Sequence, residues 1–205
     1  MKRITHKILL VFALLGVLSV QPAFAQLKIK KYKDLGEVTF YGIVFNGTKI
    51  IKADRTATDY MKLFEDLNLY YQDNPDAIAS CLKRNYRLVL KGVNSEYALQ
   101  ANSKINELGL FSYKNHTAPA TLQVLQAQLN RLRISKADGY GLILFSNSID
   151  YKDHELNYDM VFFDCKTMRI MEFGKADYDT MYKDIYKDFK QSVPDAIQDY
   201  LYSNR

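Results

Sequence analysis

The 205-residue chain has no tryptophan, and only two cysteines, four prolines, nine glycines and three histidines. Two cysteines cannot build a disulfide framework. So little proline and glycine excludes collagen-like and low-complexity architectures. The glycines never fall into G-x-G-x-x-G or a P-loop, so phosphate-cradling loops of those kinds are absent from the sequence. Neither H-E-x-x-H, C-x-x-C nor G-x-S-x-G occurs. What is abundant is apolar and aromatic: 48% of residues are hydrophobic, with 16 Tyr and 11 Phe. A chain of this length can bury roughly 70% of its unfolded surface, enough for a core without staples.

The longest hydrophobic run is short and lies at the start. Lys2, Arg3 and Lys7 precede thirteen uncharged residues, 8–20, and Pro22 is followed by Ala23-Phe24-Ala25. This order is that of a secretory signal with an A-x-A cleavage site. The run falls below the roughly 20 residues that span a bilayer. Cleavage between Ala25 and Gln26 is expected, and no cysteine follows to carry a lipid. The expected organisation is a signal peptide over 1–25, a leader over 26–36 and one domain over 37–205.

Removing the signal takes three of the 28 Lys and Arg and none of the 23 Asp and Glu, so net charge falls from +5 to +2. Nearly neutral charge argues against a nucleic-acid partner, which needs a dense basic face. Lys28, Lys30, Lys31 and Lys33 read as a solvated leader.

Periodicity assigns the elements. Residues 37–45 read as a strand ended by Asn46-Gly47. A helix follows Thr58, with Tyr60, Leu63, Phe64, Leu67 and Tyr70 at helical spacing. Asn74-Pro75-Asp76 reads as the start of a second helix, with Asn74 as its cap. A strand over 86–90 ends at Gly92. Helices are expected over 95–108 and from Thr117–Pro119 onward, the latter with Leu122, Leu125, Leu129 and Leu132 in one stripe. Three strands follow, 141–146, 158–165 and 168–173, with Asp164 and Thr167 bracketing the last turn. A final helix runs from about Asp179. The fold class is α/β (α+β): a mixed sheet ending in an antiparallel three-strand meander, helices on one side, two or three layers, and a long C-terminal helix.

The sharpest polar cluster is Asp153-His154-Glu155, in a loop between strands, which with Asp150 could supply a hard-metal or zinc ligand set; solvated turn charges are the simpler role. Asp164 ends an apolar strand and is either a turn cap or a buried acid. Cys81 shares a helix face with Ile78 and Leu82, and Cys165 a strand face with Val161 and Phe163, so both read first as core residues; an exporting compartment would also permit a bridge. Asn46-Gly47-Thr48 and Asn115-His116-Thr117 match the N-glycosylation sequon but serve equally as turn residues. In the last helix Tyr178, Tyr182, Ile185, Tyr186, Phe189 and Val193 share one stripe, and its phase continues past Pro194 to Ile197 and Tyr200, as one kinked helix would. The stripe packs on the sheet, or leaves Tyr178, Tyr182, Tyr186 and Tyr200 in part exposed for a partner.

Residues 139–176 carry a GYG-apolar strand, then Val161-Phe162-Phe163-Asp164 with Thr167 three residues on, then Gly174-Lys175-Ala176. With Val38-Thr39-Phe40-Tyr41-Gly42 and Asn74-Pro75 earlier, this resembles a family of small exported, periplasmic proteins of Bacteroidetes-type bacteria with no established activity. The resemblance implies an α/β fold and an envelope location, and carries no catalytic residues with it. That family continues after G-K-A with a glycine-rich segment and a tryptophan; this chain has Asp177-Tyr178-Asp179 instead. Asp179-Thr180-Met181 also resembles an O-glycosylation acceptor of such bacteria. The expectation is a periplasmic or secreted protein, not a lipoprotein: a non-catalytic binding or accessory module with an envelope protein as partner. It would use no cofactor and no metal, and would have no membrane span after processing. The alternative is a periplasmic hydrolase using acids around Asp153 to Asp164.

Overall fold

The computed structural model describes residues 32–86, 88–113, 120–179 and 185–204. The expected signal and leader up to residue 31, Thr117–Pro119, His116 and Tyr182 lie outside them. A seven-stranded mixed sheet is built around β5, Tyr140–Asp150. Along one edge of β5 run β1 (Glu37–Val44) and, further on, β2 (Lys49–Ile51), both parallel to it. Outside them lie β3 (Val89–Val93), parallel to β1, and β4 (Phe111–Ser112), parallel to β2. The other edge of β5 pairs antiparallel with β6 (Glu155–Asp164), and β6 with β7 (Arg169–Asp179).

Helices cover both faces, not one as the pattern suggested. On the first face α1 (Ala57–Asp73), α2 (Asp76–Tyr86) and α5 (Ile185–Ser203) share a core with Phe40, Leu142, Leu144, Met160 and Phe162. On the second, α3 (Glu96–Asn102) and α4 (Leu122–Arg131) cover Ile143, Val161, Phe163 and Cys165. Period-two alternation along β5 and β6 sends successive side chains to opposite faces, so one uninterrupted apolar run feeds both cores. Gly141 is required by this packing, because a Cβ there would lie 2.2 Å from the ring of Phe163.

Element ends differ from the sequence pattern for local reasons. α1 starts at Ala57, because Thr56 and Asp59 form a reciprocal capping box. Asn74 caps the end of α1 through its amide on Tyr70 O at 2.9 Å, so it serves the preceding helix. Gly92 lies within β3, paired with Thr39. α3 ends at Asn102 because that side chain turns inward to bond the sheet; one 3-10 turn, Glu107–Gly109, follows. α4 opens at Thr121, whose hydroxyl accepts from Val124 N. β7 runs on to Asp179, so Tyr178 belongs to a strand and not to the final helix: alternation over Phe173–Asp179 buries Ala176 and Tyr178 and exposes their neighbours.

Buried polar groups hold β1 in place. β3 stops at Val93, leaving Ile43 and Phe45 without a strand on that side. Two asparagine amides take over. Asn68 accepts from Ile43 N at 2.8 Å and donates to Ile43 O and Phe64 O at 3.0 Å each. Asn102 accepts from Phe45 N at 2.7 Å and donates to Ile43 O at 3.0 Å. Gly42 sits at the bulge they clamp, with φ +83°, and a Cβ there would lie 2.4 Å from Asn68 Oδ1.

α5 stays one helix through Pro194, as the continuous stripe implied. Proline has no N–H to give the carbonyl four residues back. That carbonyl, Lys190 O, accepts instead from the Tyr71 hydroxyl at 3.0 Å, which also reaches Phe189 O at 3.2 Å. Phe189, Val193, Ile197 and Leu201 are fully buried.

Candidate functional site

Asp153 and His154 form the hairpin between β5 and β6, and Glu155 opens β6 opposite Asp150. Asp150 Oδ1 accepts from Lys152 N at 2.9 Å and Asp153 N at 3.1 Å, a turn-capping arrangement. Asp150 Oδ2 is buried without a hydrogen bond. His154 holds the left-handed conformation, φ +59°. Among the described residues no group of three or more His, Cys, Asp and Glu is placed to hold a metal ion.

Asp164 caps the β6–β7 turn: its Oδ1 accepts from Lys166 N at 3.0 Å, Thr167 N at 2.7 Å and the Thr167 hydroxyl at 3.0 Å. It lies at the far end of β6 from Asp153. At about 3.3 Å per residue this separates the two by roughly 30 Å, so they share no site. Between them, sequence reasoning missed Asp159. It is 2% exposed and accepts from Asn147 Nδ2 at 2.8 Å. Burial raises its carboxyl above the ordinary value, against the lowering effects of the Asn147 and Ala120 hydrogen bonds and the Lys175 charge.

The tyrosine row is split. Tyr178 and Tyr200 are buried, and Tyr200 lies against Gly174. Tyr186 keeps part of its surface, with Lys190 Nζ 4.1 Å from its ring centroid and equally close to that of Tyr70. Both cysteines are free and buried, in cores on opposite sides of the sheet. Burial pushes the Cys81 thiol up to about 12 and raises that of Cys165 as well.

The second face carries a cleft of about 530 Å³ where the C-terminal ends of α3 and α4 meet the end of β1. Lys104, Arg131 and Arg133 stand around it with Asn46, Gln100 and Gln128, and Tyr97, Val44 and Phe145 give it apolar walls. No acidic residue is among its lining groups. Three local features shape it. Asn46 Nδ2 donates to Ala101 O at 3.3 Å, tying the β1 turn to α3. Tyr97 OH accepts from Ser135 N at 3.1 Å, and its ring packs 6.3 Å from that of Tyr41. Arg133 has φ +53° just past the end of α4, the left-handed position that glycine or asparagine ordinarily takes. Gln128 Oε1 is buried with no partner. Sequence reasoning missed this site because its residues come from four separate stretches, two read only as strands and two only as helices and their ends.

No protein-family model matches the chain, and a search of curated proteins finds no match for it. Among the described residues no helix is long and apolar enough to cross a membrane.

Proposed function

We propose that the chain is the precursor of an exported, non-catalytic binding module of the bacterial envelope, akin to the family its 139–176 segment resembles. One observation carries the binding part: a concave site with three cations, three amides and an aromatic wall, and no acid among its lining. Concave sites of this size, with several convergent polar groups, take small ligands. The signal-like order of residues 1–25 supports export, and a net charge of +2 after processing speaks against nucleic acid as the partner. Expression in a bacterial host, followed by fractionation and intact mass, tests the reading. A periplasmic species beginning at Gln26 is expected. A species that keeps Met1 or carries a lipid contradicts it.

A second reading, a periplasmic hydrolase, is favoured by one observation, the buried Asp159 with its raised carboxyl, a profile that general acids share. It requires another reactive group converging on Asp159. Asp153 and Asp164, the acids the sequence suggested, are held in turns at opposite ends of β6.

A further inference from the structure

Resting on the binding-module reading, we propose that the cleft between α3 and α4 takes an acidic saccharide. The sugar ring would lie on Tyr97 among the amides, and its carboxylate or phosphate would face Lys104, Arg131 and Arg133.

Charge is the first argument. Both helices point their C-terminal ends at the cleft, each worth about −0.5 of a charge at most. One cation would neutralise such an end. Three full cations exceed the need of both, none is paired with a carboxylate among the described residues, and no acid lines the cleft. The surplus positive charge fits an oxyanion, which arginine can grip with two parallel N–H groups.

Size is the second. A volume of about 530 Å³ lies inside the roughly 300–1,000 Å³ range of small-molecule sites. A protein partner needs about 800 Å² on each side, more than one such cleft presents. The remaining walls suit a sugar in their chemistry. Asn46, Gln100 and Gln128 carry amides, which both donate and accept, as sugar hydroxyls do. Gln128 Oε1, unbonded in the wall, gains a partner if its side chain turns to a hydroxyl. The Tyr97 ring, held by the Ser135 amide through its oxygen, offers a fixed flat surface for the C–H face of a pyranose.

Arg133 supplies a test that separates binding from folding. Its left-handed backbone is strained for arginine and natural for asparagine. Arg133→Asn therefore removes a cation without threatening the fold. Calorimetric titration of the mature chain with glucuronate, glucose 6-phosphate, glucose and inorganic phosphate is the experiment. One-site binding of glucuronate or glucose 6-phosphate is expected, weakened by salt, with glucose and inorganic phosphate each at least about tenfold weaker. The stronger of the two acids shows whether carboxylate or phosphate is the native group. Arg133→Asn and Arg131→Gln each lower affinity about tenfold, the scale of one lost charge-assisted pair, and Arg133→Asn melts no lower than the parent. Absence of saturable binding by both acids overturns the proposal. So does equal affinity for glucose or for inorganic phosphate, or full affinity in Arg133→Asn. A protein found exported yet unable to bind sugars defeats this inference alone. One that keeps Met1 defeats the reading it rests on, whatever the cleft binds.

Discussion

The two faces of the sheet are covered unequally. The first carries helices of 17, 11 and 19 residues; the second carries helices of 7 and 10. Phe45, Phe64 and Phe189 form an aromatic cluster on the first, with Phe45 and Phe64 stacked at 3.9 Å between centroids. On the second, Leu125 and Leu129 are buried but Leu122 is 47% exposed, and the cleft opens between the helices. The difference separates two degrees of cover within one sheet. The heavily covered face supplies most of the hydrophobic stabilisation, though it too carries a cleft, of about 500 Å³ between α1, α2 and α5; the thinly covered face leaves its cleft where α3 and α4 end.

The contrast can be broken by truncation. Phe189→Ala is expected to cost roughly 3–5 kcal/mol of unfolding free energy, as a fully buried ring in a close-packed cluster should. Leu129→Ala on the second face should cost about 2 kcal/mol, at the low end for leucine, because thinner cover can settle into the space. Urea denaturation measures both, and a larger loss at Leu129 would reverse the assignment. Next in size is Asn68→Ala. It strands the buried N–H of Ile43, whose carbonyl keeps only its bond from Asn102, for an expected loss of about 2 kcal/mol. Tyr71→Phe leaves Lys190 O unserved above Pro194 and should lower stability by about 1–2 kcal/mol; a Pro194→Ala background, which restores a backbone donor, should shrink that loss.

The smallest effect concerns pH. The folded Asp159 carboxyl titrates above its ordinary value, so the fold prefers it protonated. That contribution is present at acid pH and is lost as pH rises from the ordinary carboxylate range through the raised folded value. Asp159→Asn keeps an acceptor for Asn147 and removes the titration. Its urea midpoint should exceed that of the parent at about pH 7, and the gap should close toward about pH 4. A gap that widens on acidification would contradict the assigned direction.

Much of the first face could be read from the sequence. The stripe Phe189, Val193, Ile197 announced α5, and the run 141–146 announced β5, because periodicity reports burial directly. Asp164 and Thr167 likewise revealed their turn. Legibility failed where burial is polar or assembly is non-local. β2 and β4, three and two residues long, are too short to show alternation. Asn68 and Asn102 look like surface residues, yet they replace a missing strand, a role visible only once β3 is seen to stop short. Tyr178 fits both the helical stripe and the strand alternation, and strand pairing with Leu156 decides it. The cleft depends on Asn46, Lys104, Arg131 and Arg133 meeting after two crossovers, which no local pattern encodes.

Each core holds one free cysteine, so the molecule carries its own pair of reporters. Thiol labelling of the native protein, followed residue by residue against denaturant, compares the faces directly. Local opening of the thin cover should expose Cys165 with little denaturant dependence, while Cys81, which lines a cleft between α2 and α5 but sits among three longer helices, should label with the steeper dependence. Faster labelling of Cys81, or one shared slope for both thiols, would contradict the division of the molecule into a heavily covered face and a thinly covered one.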